Sequence, residues 1–263
     1  MNALGVDVSR WQPAVDWQVL RAAGVSFAVI KASQGATLRD PLLKAHFNGA
    51  RAAGLVTGVY HWLDPTLPAG RQIDHFLSAC SGLDFDFAAL DVEQYWRSWE
   101  EWSEHRIVRC IEPERISGCA REAGELLRAA TKTPVVIYTR ASFVHTYAEP
   151  MQDWLPGWPL WLAHYPYLRG RVKLTWESLK REHLPKIAGP NMVDGTGEWH
   201  FWQFSGDRFL LPGASTPLDL NFYNGSEEEL RAWCAGKAPP AGEISDSEKL
   251  RRLWEAHPEL RQP

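Results

Sequence analysis

Cysteine is scarce here and follows no pattern. Cys80, Cys110, Cys119 and Cys234 make no Cys-x-x-Cys or Cys/His spacing, so no metal site is read from them, and free thiols kept in a reducing compartment are expected over a disulfide framework. Basic charge is not in excess: 28 Lys and Arg stand against 32 Asp and Glu, net −4. That leaves no electrostatic footprint for a phosphate backbone, and nucleic acid is not an expected partner. No apolar run approaches the roughly 20 residues of a membrane span, which argues against membrane insertion. The opening "MNALGVDVSR" lacks the basic-then-apolar layout of a signal peptide and runs straight into a strand. Low-complexity tracts are missing too. What the chain does have is tryptophan, 14 of them in 263 residues, and Trp is a costly residue to place without a use.

Short apolar runs alternate with helical periodicities. Strands are expected at 3–9, 26–33, 55–63, 87–93, 133–139, 159–165, 199–205 and 218–224. Helices are expected from 14 to a stop at Gly24, with Val15, Val19, Leu20 and Ala23 on one face, and then at 41–53, 69–82 and 113–131. A capping box from Ser226 to Glu229 opens a closing helix. Alternation of strand and helix implies parallel strands, and "FAVI", "FAAL" and "VVIY" are apolar on both faces, as strands covered by helices should be. The fold class expected is therefore α/β: a TIM-like β/α barrel of eight strands, regular in the first five β/α units and irregular in the last three strands. Residues 1–235 would form this domain. Residues 236–263 would add a linker and a short amphipathic tail helix at 245–256, too little for an independent domain.

Polar residues collect where the apolar runs end: Asp7, Lys31, His61, Asp91 with Glu93, Tyr138, His164, Gln203, and Asp219 with Asn221. In a parallel barrel those ends share one face, where sites are built. "FAALDVEQYW" is the most pointed case. Acids closing a buried run cost desolvation energy and need a partner or a purpose. Asp91 and Glu93 are two apart, so they point the same way while Val92 packs outward. Crowded acids raise one another's pKa and can keep one carboxyl protonated as a proton donor. Asp7 or Asp219 alone reads first as a helix cap or turn former, and His61 and His164 read as hydrogen-bonded structural residues before catalytic ones; Lys31 reads also as a neutraliser of a nearby carboxylate. Asp16, Asp84 and Asp86 read as caps or loop residues. Trp11, Trp62, Trp96, Trp161 and Trp202 lie at or just after strand ends. Indole faces stack on the C–H faces of sugar rings, but most of these side chains are expected to serve packing.

"GVDVSRWQPAVDW", "FAVIKASQG", "AAGLVTGVYHWLDP", "LDVE", "TPVVIYT", "PLWLAHY", "WHFWQFS" and "LDLNFYNGS" occur in the order and rough spacing of glycoside hydrolase family 25, the Chalaropsis-type lysozymes, which the chain resembles over residues 3 to 233. The resemblance implies a distorted β/α barrel cleaving the β-1,4 bond between N-acetylmuramic acid and N-acetylglucosamine. It implies Glu93 as general acid/base, Asp91 assisting the substrate's 2-acetamido group, and Asp7 and Asp219 completing an acidic floor. Lys31, Tyr60, His61, Trp62, Tyr138, Trp161, His164 and Gln203 are the expected substrate-binding residues. No cofactor and no metal are implied. The implied partner is the peptidoglycan glycan strand, met by a monomer that stays cytoplasmic, in the manner of an endolysin, until it is released to the wall. The pattern departs from the family at Arg10, where a His is usual, at Gln34, where a Glu is usual, and at Trp62, where a Phe is usual. The insert at 97–106 is expected to form part of the cleft wall.

Two other classes stay in view. A sugar-binding module on a degenerate glycosidase barrel would be missing an acid at the catalytic strand, and here both Asp91 and Glu93 are present. A metal-dependent hydrolase would have to use Asp7, His61, Asp91 and His164.

Overall fold

The computed structural model describes residues 2–104, 108–166, 177, 180–181 and 189–236. The chain runs β1 (Ala3–Val8), α1 (Trp17–Ala22), β2 (Val25–Gln34), β3 (Leu38–Arg39), α2 (Leu43–Ala52), β4 (Val56–Trp62), α3 (Ala69–Ala79), β5 (Phe87–Asp91), α4 (Trp99–Ser103), α5 (Pro113–Ala130), β6 (Val135–Thr139), α6 (Ala141–Tyr147), two 3-10 turns, β7 (Leu160–Ala163), β8 (Phe201–Phe209), β9 (Leu218–Tyr223) and α7 (Glu227–Cys234). Strands hydrogen-bond in the order β1, β9, β8, β7, β6, β5, β4, β2, and β1 also pairs with β2, so eight strands close into a barrel. The two-residue β3 is an antiparallel appendage on β2.

Apart from β3, the strands from β1 to β8 run parallel around the barrel, and the expected five regular units are present, each strand returning through a helix on the outside. The irregularity expected in the last three strands takes the form of a reversal at the closure. β9 is antiparallel to both β1 and β8, because β8 turns straight into it with no helix between. Crossover connections force parallel pairing, whereas a short direct connection reverses the chain.

Two apolar layers hold this shell together. The outer layer packs strand residues such as Val6, Ile30, Leu90, Val92 and Ile137 against helix residues such as Leu20, Phe47, Ile73, Phe76 and Leu127. The inner layer fills the lower barrel with Phe27, Val29, Val56, Phe87, Val136 and Phe201. Phe87 and Phe201 stack at 4.9 Å, and Trp233 of α7 meets both rings from below. Rings of this size fit because facing positions lack side chains. A Cβ on Gly5 would lie 2.3 Å from the Phe27 ring, and one on Gly58 would lie 2.4 Å from that of Phe87. The floor is thus plugged with aromatics, and the barrel opens at the other mouth.

Local signals set the helix ends. Asp16 caps α1 through Gln18 and Val19. Helix α1 is shorter than its apolar pattern suggested: Trp17 and Leu20 are buried, while Val19 is exposed. The anticipated capping box at Ser226 and Glu229 is formed, and Glu227 ties α7 to Arg21 at 2.7 Å. Asp86 accepts from Arg51 at 2.8 Å and from the Thr57 amide at 2.7 Å. All four cysteines are free thiols. The expected tail helix at 245–256, and the end of the 97–106 insert, lie outside the described residues.

Candidate active site

Strand alternation decides what enters the open mouth. Asp7 and Asp219 are directly opposed across β1 and β9, and Asp91 is paired with Trp62 on one side and Tyr138 on the other. Asp219 is the second residue of its strand, so it reaches this mouth only because β9 is reversed; on a parallel strand it would sit at the plugged floor. A cavity of about 140 Å³ results, lined by Asp7, Tyr60, Trp62, Asp91, Glu93, Tyr138, Trp161, Tyr165, Gln203 and Asp219. A second depression of about 290 Å³ adjoins it, lined among others by Glu93, Tyr138, Arg140, His164, Tyr165 and Arg208. Glu93, Tyr138 and Tyr165 belong to both, so Glu93 stands at the seam.

Hydrogen bonds fix the floor. Asp7 Oδ2 accepts from Asn221 Nδ2 at 2.8 Å and from Gln203 Nε2 at 2.9 Å. Gln203 Oε1 in turn accepts from the Tyr138 hydroxyl at 2.9 Å and the Tyr165 hydroxyl at 2.6 Å. Trp161 donates to Asn221 Oδ1 at 2.8 Å, and Trp62 donates to Gln94 Oε1 at 3.2 Å. Each side chain is therefore oriented by a neighbour that is itself held. Asp219 Oδ1 accepts from the amide of Asp207 at 2.6 Å, and Asp207 adopts a left-handed φ of 45°. Asp91 Oδ1 is buried and has no hydrogen-bond partner among the described residues.

Burial and mutual repulsion push all four acids above their ordinary range. Burial raises Asp7 to about 6 even against the hydrogen bonds from Asn221 and Gln203. Burial, then the charge of Glu93, drives Asp91 well up. Burial raises Glu93, with Arg140 and Lys31 pulling the other way. Asp219 rises through burial and the facing Asp7. All four therefore hold their protons to higher pH than free carboxyls do, and exposure rather than pKa distinguishes them: Asp91 is only 5 % exposed, while Glu93 is half-buried and opens to the cleft.

Most expected residues meet here; His61 and Lys31 do not line the cavity. His61 is fully buried and points away from the cleft, its ring nitrogens toward Ser33 Oγ at 2.8 Å and Gln72 Oε1 at 3.4 Å, its face against Phe76 of α3. Tyr60 and Trp62 face in, so the residue between them must face out. This also dissolves the metal-hydrolase grouping that needed His61 beside Asp7 and Asp91. Trp202 faces the outer layer for the same reason, its indole N–H donating to the His164 carbonyl at 2.8 Å. Lys31 sits behind the cavity wall, its ammonium 4.8 Å from the Trp62 ring and donating to Gln34 Oε1 at 3.0 Å; it offsets carboxylate charge, as its alternative reading held. Gln34 holds that ammonium as a neutral acceptor where an acid would have made an ion pair.

Arg140 and Tyr165 were not anticipated as site residues. Both follow the period of two, after Tyr138 and Ala163; Arg140 lies one residue past the expected strand at 133–139, and Tyr165 closes the one at 159–165, where its neighbour His164 drew the assignment. Beyond Trp62 the wall continues as an indole cluster. Trp96 lies 6.2 Å from Trp62 and stacks on Trp102 at 4.5 Å, with Trp99 exposed beside them.

Comparison with known proteins places this geometry. A family model described as "Glycosyl hydrolases family 25" matches residues 6–211. An N,O-diacetylmuramidase from Arthroderma benhamiae is 33% identical over 235 residues, 88% of this chain and 86% of the relative. Lysozyme M1 from Streptomyces globisporus is 28% identical over 233 residues, 87% of this chain and 70% of the relative. The crystal structure of a bacterial lysozyme from Streptomyces coelicolor superposes with a TM-score of 0.69 at 25% identity, over 90% of this chain and 99% of that one.

Proposed function

The chain belongs to glycosyl hydrolase family 25, and from that premise we propose that its cleft cuts peptidoglycan glycan strands with Glu93 as the general acid/base. It is a muramidase, a glycoside hydrolase acting on the β-1,4 bond between N-acetylmuramic acid and N-acetylglucosamine. The observation that carries the residue assignment is the position of Glu93, half-open at the seam of two cavities and above a floor of acids from β1, β5 and β9. Glycosidic cleavage needs a protonated acid beside the leaving oxygen and support for an oxocarbenium-like centre. Glu93 is raised in pKa and accessible, which suits the first need. Asp91 suits the second: its unpartnered, buried Oδ1 is an acceptor for an acetamido N–H, orienting that group for attack on the anomeric carbon. Asp7 and Asp219, facing each other, keep the floor polar and proton-rich. Tyr60, Trp62, Tyr138, Trp161, His164 and Gln203 line the path of the sugar, with Lys31 balancing charge behind it.

The site is complete within one chain, which suits a monomer acting on the extracytoplasmic wall. Among the described residues no helix is long and apolar enough to cross a membrane. The test is turbidity loss of purified walls with wild type and Glu93→Gln, followed by analysis of new reducing ends. The expected result is muramic acid at those ends and a loss of at least about a hundredfold in rate in the variant. Full activity in Glu93→Gln would remove that residue from the mechanism.

A further inference from the structure

The larger depression beside Glu93 has a different character from the acidic floor. Arg140 and Arg208 both line it, in a chain whose net charge is −4. Neither guanidinium makes an ion pair or a side-chain hydrogen bond among the described residues, whereas arginines elsewhere, such as Arg21, Arg51, Arg97 and Arg231, each engage a carboxylate. Two further groups in the same wall are unmatched. Ser205 is 1 % exposed and its Oγ has no partner, and His164 Nδ1 is likewise buried and unpartnered. Buried polar atoms are nearly always satisfied, and an orphan at the wall of a cleft marks a place where a ligand supplies the missing partner. Four groups able to donate hydrogen bonds, two of them permanently cationic, thus converge on one space of about 290 Å³.

We propose that this depression is a carboxylate subsite, in which Arg140 and Arg208 engage a carboxylate carried by the glycan strand while Ser205 and His164 complete its hydrogen bonds. The proposal rests on the muramidase reading and deepens it. Guanidinium forks match carboxylates in geometry and are always charged. The acids across the seam would repel such a group, so the cleft is polar along its length, negative where the bond is cut and positive where the substituent rests. That polarity sets the direction in which a strand lies. Muramic acid offers two sources of a carboxylate: its own lactyl group when the stem peptide is gone, or the stem peptide itself.

The experiment measures kcat/KM on three wall preparations: intact walls, walls stripped of stem peptides by an amidase, and walls whose carboxylates have been converted to methylamides. Arg140→Gln and Arg208→Gln are each expected to lose roughly ten- to a hundredfold against wild type where the carboxylate is free, the range of one charge-assisted contact, mainly through KM. On methylamidated walls wild type should fall to the level of the variants. A loss confined to stripped walls assigns the lactyl carboxylate, and one confined to intact walls assigns the stem peptide. Equal losses on amidated and native walls, or no loss anywhere, would overturn the subsite. Both arginines are exposed, so the variants are expected to keep the wild-type melting temperature, and binding to walls in a Glu93→Gln background provides a readout independent of turnover. Failure of wild type to release muramic reducing ends from intact walls would instead refute the muramidase reading on which this one stands.

Discussion

Replacing Asp7 by Asn should stabilise the protein while disabling it. Asp7 Oδ2 takes both incoming hydrogen bonds, from Gln203 and Asn221, so an amide oxygen in the same place keeps them. The amide nitrogen then occupies the position of Oδ1, facing Asp219, and donates where the acid must carry a proton to do so. Burial is the main cause of the rise in the Asp7 pKa from 3.8 to about 6. A carboxyl whose folded pKa lies above its unfolded value contributes stability that is whole below pH 3.8 and is lost as pH climbs through about 6. At about 1.4 kcal/mol per pH unit, that rise corresponds to roughly 3 kcal/mol withheld from the wild type above pH 6. Asp7→Asn carries no such titration. Urea melts at pH 4, 5, 6 and 7.5 should show the variant gaining on wild type through the middle of that range and holding the gain above it, with Tm several degrees higher at pH 7.5. Wall lysis by the same variant should fall at least tenfold. A difference in stability that is the same at pH 4 and pH 7.5, or a variant less stable throughout, would refute the reasoning.

Other perturbations test other parts. Gly58→Ala drives a methyl to within 2.4 Å of the Phe87 ring in the barrel floor, and denaturant melts should show a loss of about 1–3 kcal/mol with KM unchanged. Burial holds the His61 imidazole down to about 3, so its share of stability is present above pH 6.5 and lost as pH falls toward 3; His61→Gln should flatten that acid limb in melts and leave KM alone. The pH profile of kcat/KM should have an alkaline limb displaced upward from an ordinary glutamate, because burial raises Glu93; Arg140→Gln should move it further up, since that cation draws the pKa down. Asp86→Ala removes the carboxylate bridging Arg51 and the Thr57 amide and should cost about 1–3 kcal/mol with activity retained.

Much of this was legible in residue order. The double-sided apolar runs announced a sheet covered by helices, and the Asp91-Val92-Glu93 alternation placed two acids inward and the valine in the outer layer. His61 reads correctly as a hydrogen-bonded structural residue; its substrate-binding role fails because a place at a strand end was weighted above the alternation that Tyr60 and Trp62 already imposed. Val19 misled in the opposite way: the helix is too short for all of its apolar residues to share a face. Arg140 and Tyr165 continue the inward period past the apolar residues, where hydrophobicity no longer marks the strand. The reversal of β9 has no local signature at all, since direction in a sheet follows from the connection before a strand and not from its own composition.

That reversal also governs where the chain goes next. Having begun at the open mouth, β9 ends at the floor, where Leu230 and Trp233 of α7 close the inner core and Arg231 reaches the Gly54 carbonyl at 2.6 Å. The backbone therefore leaves α7 on the side remote from the substrate groove. A partner module or affinity handle joined there would hang behind the blade, free to grip a surface while the cutting edge stays clear.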